Sequence, residues 1–149
     1  MTGTDVAAET PLLLIVPATL LDARSTTERV MALCQRLSEA DRALYETAVM
    51  EWLTNVVKHS CEHLHGASFF VRVDPSPDSI RLIVEDCGHG MPPGQFDAAP
   101  AEVYFDPEHI GELPESGFGI AILKTVMDHV RYEQDHGVNR LTAVKRWAS

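Results

Sequence analysis

The stretch EWLTNVVKHS, residues 51–60, decides how this chain is read. Leu44, Ala48, Trp52 and Val56 fall at i, i+4, i+8 and i+12, one apolar stripe of a helix. The spacing predicts a helix from about Asp41 to about His59. Yet at about 100° per residue Thr47, Glu51, Asn55 and Lys58 form a polar line along the edge of that stripe. Such a line is either a solvated ladder of side chains or the floor of a site. For a site the chemistry is coherent. Asn offers a neutral oxygen ligand to a hydrated Mg²⁺, Glu can orient or deprotonate a nucleophile, and Lys can meet a phosphate.

Two other segments carry chemistry of the same kind. In IRLIVEDCGHG (80–90), Asp86 continues the face of Ile80, Leu82 and Val84 and so points toward the core or a pocket. Gly88 and Gly90 follow at alternate positions, where the backbone can turn sharply. A buried, acceptor-only carboxylate there suits the amino group of a flat base. The same residues also suit a plain strand-to-loop turn. In SGFGIAIL (116–123), Gly117 and Gly119 stand where a helix begins, a place whose free N–H groups favour phosphate. No G-x-x-x-x-G-K-[ST] is present, and no G-x-G-x-x-G follows the first strand.

Around these segments the chain alternates between clear and absent periodicity. Leu12–Val16 reads as a buried strand ending at Pro17. Residues 26–37 read as a helix capped by Ser25, with Glu28 completing a capping box. Phe69, Val71 and Val73, then Ile80, Leu82 and Val84, alternate as two strands joined by the turn DPSPDS (74–79). From Gly88 to Gly117 there are five prolines and five glycines, the composition of a functional loop, and a lid is expected from about Met91 to Ser116. Ile120, Leu123, Val126 and Met127 share a helical face. Residues 130–134 and 140–147 read as closing strands around the turn DHGVN. The fold class is α/β, a two-layer sandwich with a mixed, mostly antiparallel sheet and helices on one face. Residues 1–10 read as a loose terminus and residues 11–149 as one domain.

Composition narrows the function. The chain has 149 residues, 45% of them hydrophobic, and a net charge of −10 with no basic cluster. That argues against a nucleic-acid surface, which needs concentrated positive charge. No stretch approaches the roughly 20 apolar residues of a membrane span. Cys34, Cys61 and Cys87 lack C-x-x-C spacing and suggest reduced thiols in a cytoplasmic protein. His59, Cys61, His63 and His65 lie close together, but their spacing fits no standard zinc finger, and histidines near a helix C-terminus are the ordinary explanation.

Taken in order, Glu-x-x-x-Asn on a helix, Asp-x-Gly-x-Gly after a strand, a long lid and Gly-x-Gly at a helix start resemble the N, G1 and G2 boxes of the GHKL ATP-binding superfamily. That superfamily includes histidine kinases, DNA gyrase B, Hsp90 chaperones and MutL. Within it, the closing segment ILKTVMDHVRYEQDHGVNRLTAVKR and the two-helix entry resemble the bacterial anti-sigma factor serine-protein kinases of partner switching. The likeness runs from about Leu12 onward and implies a Bergerat-type ATP-binding fold. It implies an ATP·Mg²⁺ site with Asn55 as metal ligand, Glu51 as catalytic base and Lys58 near the phosphates. Asp86 would read the adenine amino group, with Gly88, Gly90 and Met91 around it. Gly117, Phe118, Gly119 and Ile120 would face the phosphates, and Thr142 resembles the late Thr that helps hold the adenine-binding Asp. The implied partner is a STAS-type anti-anti-sigma protein carrying the acceptor serine, with a sigma factor or other regulator as a second partner and room for a homodimer. Glu115 and Ser116 stand where several such kinases carry a basic residue, and Trp52 where the family often has a small one. Two other functions therefore stay open, a nucleotide-dependent binding module that transfers nothing and a detached histidine-kinase catalytic domain.

Overall fold

The computed structural model describes residues 10–99 and 119–148. Five strands, Leu12–Pro17 (β1), Ser68–Pro75 (β2), Ser79–Asp86 (β3), His129–Asp135 (β4) and Val138–Arg146 (β5), form one sheet in the order β1-β2-β3-β5-β4. Every neighbouring pair is antiparallel, so the sheet expected to be mixed is antiparallel throughout the described residues. Helices α1 (Leu20–Met31), α2 (Glu39–Asn55) and α4 (Gly119–Val126) cover one face, and α3 (Gln95–Ala98) is a single turn after β3.

The alternation in the sequence creates the two faces. Phe69, Val71, Val73, Ile80, Leu82 and Val84 are all buried, as are Leu141 and Ala143 on β5, and they share one core with the helices. Each of the Val, Leu, Ile and Phe side chains contributes about 1.5–3 kcal/mol by leaving water. The intervening residues form the other face of the sheet, where Leu13, Ile15 and Phe70 are exposed.

Helix α2 follows its expected course. Ser38 caps it, accepting from Asp41 N at 3.1 Å. Its buried side is wider than one stripe and comprises Tyr45, Ala48, Val49, Trp52 and Leu53, with Leu44 half-buried beside them. Past Asn55 the winding changes to a π-helical turn, Val56–Ser60, closed by a bond from Cys61 N to Val56 O at 2.8 Å. Helix α1 begins six residues before the expected Thr26. The cap is Thr19, whose hydroxyl accepts from Asp22 N at 3.0 Å and donates to the Asp22 carboxylate at 2.6 Å. Leu20 and Leu21 in its first turn are exposed, so they add nothing to the apolar periodicity that marks a helix start.

The β4–β5 connection is also tighter than expected. His136 and Gly137 both have positive φ, 52° and 78°, as a two-residue type I′ hairpin requires. Val138 and Asn139, expected in the turn, therefore belong to β5.

Candidate functional site

The end of α2 with its π turn, the end of β3, Tyr132 of β4 and the start of α4 surround a cavity of about 300 Å³ whose lining includes Asn55, Ser60, Asp86, Met91, Gly119 and Ile120. The three segments singled out in the sequence thus meet in one place, as far as they are described. Gly117 and Phe118, together with Glu115, Ser116 and the expected lid beyond Ala99, lie outside the described residues.

Asp86 is buried at the end of β3. Its Oδ1 accepts three hydrogen bonds, from Ser60 Oγ, from Gly88 N at 2.9 Å and from Asn139 Nδ2 at 2.8 Å. Its Oδ2 accepts none among the described residues, and the side chain borders the cavity. A carboxylate held this firmly by one oxygen leaves the other as a fixed acceptor for a donor entering the cavity. The two glycines after it serve close packing. A Cβ at Gly88 would collide with the Ser60 carbonyl, and one at Gly90, where φ is +69°, would lie 2.5 Å from Asn139 Oδ1. Ser60 ties this loop down further, its carbonyl accepting from His89 N at 2.7 Å and its hydroxyl from Gly90 N at 2.9 Å.

Also on the cavity wall, Gly119 opens α4 against α2. A Cβ there would stand 2.7 Å from Asn55 Nδ2 and 3.7 Å from Glu51 Oε2. A larger residue here would have to push the Asn55 amide aside, and Ile120 follows into the cavity wall. A helix N-terminus beside an amide and a carboxylate suits a phosphate chain with its metal ion.

Two expected site residues are displaced. Lys58 is exposed and does not line the cavity, whereas His59 and Ser60 do. The π turn is the cause, since i→i+5 winding brings positions four and five after Asn55 onto its face in place of position three. Thr142 pairs with Ile83 and Arg131 and therefore lies on the outer face of the sheet, away from Asp86. Asn139, opposite both Asp86 and Gln134, does what was expected of Thr142. Sequence reading missed Asn139 because it sat in an expected five-residue turn, and missed Ser60 because the helix was expected to end at His59.

The cavity is bounded on one side by an aromatic cluster. Tyr132 of β4 stacks on Phe96 of α3 with centroids 5.5 Å apart, and Trp52 meets both edge-on at 5.6 and 6.2 Å. Burial raises the Tyr132 hydroxyl above its ordinary pKa, partly offset by the hydrogen bond from Met91 N, so the phenol stays neutral. Among the described residues no three His, Cys, Asp or Glu side chains cluster as a ready metal site, and no helix is long and apolar enough to cross a membrane.

The fold is that of an α/β sandwich of the GHKL kind. The profile of the histidine kinase-like ATPase domain matches residues 16–145, and the chain belongs to that family. It is 33% identical over 92 residues to the serine-protein kinase RsbW of Bacillus licheniformis, covering 61% of this chain and 56% of that protein. To the RsbW of Bacillus subtilis it is 31% identical over 93 residues, with the same coverage. The chain thus matches a little over half the length of these curated relatives. Among solved structures, the RsbU and RsbW domains of Rv1364c from Mycobacterium tuberculosis superpose with a TM-score of 0.62 at 18% identity, over 92% of this chain and 32% of that one. The mycobacterial sensor histidine kinase MprB gives 0.53 at 22% identity, over 92% and 97%. At these identities the two structures bear on the fold alone.

Proposed function

We propose that the protein is an ATP-dependent serine-protein kinase of the anti-sigma type, acting in the cytoplasm on a STAS-type partner and sequestering a sigma factor or another regulator. The observation that carries the nucleotide reading is one cavity lined both by Asp86, with its open Oδ2, and by Asn55 against Gly119. The similarity to RsbW serine-protein kinases supports the transfer reading.

In this reading Asp86 accepts a hydrogen bond from the adenine amino group, and Met91 and Ile120 flank the base. Asn55 would hold Mg²⁺, which neutralises charge on the phosphates. Glu51 accepts the proton of the attacking serine hydroxyl as its oxygen bonds to the γ-phosphorus and the bond to the ADP oxygen breaks. Gly117 and Phe118 would border the phosphates together with Gly119.

For self-association, the outer face of the sheet is the surface we assign. A chain of net charge −10 repels its copies over most of its surface. On this face charges cancel locally, through Arg72 and Arg81 with Asp74, Arg140 with Glu85 and Arg131 with Glu133. Leu13, Ile15 and Phe70 lie exposed beside them.

The deciding experiment is phosphotransfer from labelled ATP to each STAS-type protein of the same genome. Asn55→Ala should lose both Mg·ATP binding and transfer. Glu51→Gln should keep nucleotide and partner binding but lose transfer, because a proton acceptor acts mainly in the transition state. If wild type labels no partner, yet wild type and Glu51→Gln both bind a regulator when nucleotide is present, the protein is a binding module. A label on a partner histidine would instead make it a detached histidine-kinase catalytic domain.

A further inference from the structure

Lys124 lies about a turn and a half into α4, beyond the groups assigned to the phosphates. Its ammonium donates to the carbonyl oxygens of Phe96 and Ala99, the latter at 2.9 Å. It also stands 4.8 Å from the centre of the Phe96 ring. The two carbonyls mark the end of the single-turn helix α3, where that of Phe96 also accepts from Ala99 N at 3.3 Å. Charge-assisted bonds to both are strong for their number.

Phe96 is the one buried side chain of the Met91–Ala99 segment. It rests on Tyr132 and against Trp52. Trp52 Nε1 is buried with no hydrogen-bond partner among the described residues, so ring packing holds the indole. The start of the same segment is tied to β4, with Met91 N donating to the Tyr132 hydroxyl at 3.2 Å and Gln134 Nε2 donating to Met91 O at 3.1 Å. A stretch that reads as the open start of a lid is therefore pinned at both ends. Its Met91, Pro92 and Gln95 line the cavity together with Asp86.

We propose that Lys124 is a positioning residue for the base end of the nucleotide, holding Met91–Ala99 against Trp52 and Tyr132 as a preformed wall of the cavity. This rests on the nucleotide reading above. Without the ammonium, the Ala99 carbonyl is left to water, the Phe96 carbonyl keeps only its bond from Ala99 N, and the Phe96 ring loses its clamp. The wall must then be ordered anew each time a ligand binds, which lowers affinity by the fraction of molecules that lack it. Because the wall belongs to the base end, the loss is the same whatever the number of phosphates.

The test uses the full chain as wild type, Lys124→Met and Lys124→Arg. In hydrogen exchange without ligand, the amides of Gln95, Ala98 and Ala99 report the wall through their bonds to Pro92, Gly94 and Phe96 carbonyls. Lys124→Met should speed their exchange about tenfold while β2 and β3 are unchanged, and Lys124→Arg should restore them. Calorimetry with AMP, ADP and Mg·ATP should give one common loss for Lys124→Met, on the order of tenfold. Phe96→Ala should match it, and the double variant should lose no more than either single one. Unchanged exchange and unchanged affinities in folded Lys124→Met overturn the proposal. A loss confined to Mg·ATP overturns the assignment to the base end. A wild type that binds none of the three nucleotides removes the nucleotide reading and this role with it, whereas a wild type that binds all three beside an indifferent Lys124→Met removes this role alone.

Discussion

Replacing Asp86 by Asn tests the adenine assignment with almost no change of shape. Three donors converge on Oδ1, from Ser60, Gly88 and Asn139, so the oxygen of an Asn side chain must take that position. The flipped amide would point its NH₂ at all three donors. The NH₂ is thus forced to where Oδ2 stands now, a donor facing the donor amino group of adenine. What is lost is a charge-assisted hydrogen bond, about 1.5–3 kcal/mol, or roughly ten- to 150-fold in affinity. Stability should suffer less, by about 1 kcal/mol, because Oδ1 keeps all of its bonds and loses only their charge. Calorimetry with ADP measures the first quantity and urea unfolding the second. Selectivity for ADP over GDP should fall as well, since the guanine oxygen can accept from the new amide. Unchanged ADP affinity in a folded Asp86→Asn protein would refute the assignment of Asp86 to the base.

Three further outcomes follow from the geometry. Asn139→Ala removes one of the three donors holding Asp86 and should cost about 1–3 kcal/mol of stability together with ADP affinity, whereas Thr142→Val should leave ADP titrations unchanged. The opposite ranking would mean that the β3–β5 register is wrong. Gly119→Ala should weaken Mg·ATP far more than AMP, because the new methyl meets Asn55 Nδ2 at the phosphate end; equal weakening of both would count against that placement. Thiol titration of the native protein at pH 8 should register Cys87 alone. Burial pushes the Cys34 thiol up to about 12, slightly offset by Arg42, and burial with the nearby Asp86 and Cys87 raises Cys61, so both stay protonated and shielded. Three fast-reacting thiols before denaturation would contradict this packing.

Periodicity and short motifs in the sequence determined the two layers, the β2–β3 hairpin, the course of α2 and the meeting of Glu51, Asn55, Asp86 and Gly119. Those features are local, because a strand alternates and a helix stripes whatever its neighbours are. The tertiary structure decided which residues complete the site. The two-residue turn at His136–Gly137 moved Asn139 into β5, and a period of two then turned Thr142 to the outer face. A His-Gly pair is not the Asn-Gly signal that announces such a turn, so the register was not legible. The π turn replaced Lys58 with His59 and Ser60 for a similar reason, since one extra residue per turn leaves no mark on apolar spacing. The pinned wall at Met91–Ala99 was hidden because a single buried Phe96 makes no period. What anchors it, Lys124, lies 28 residues away in the chain and touches it only once the chain is folded.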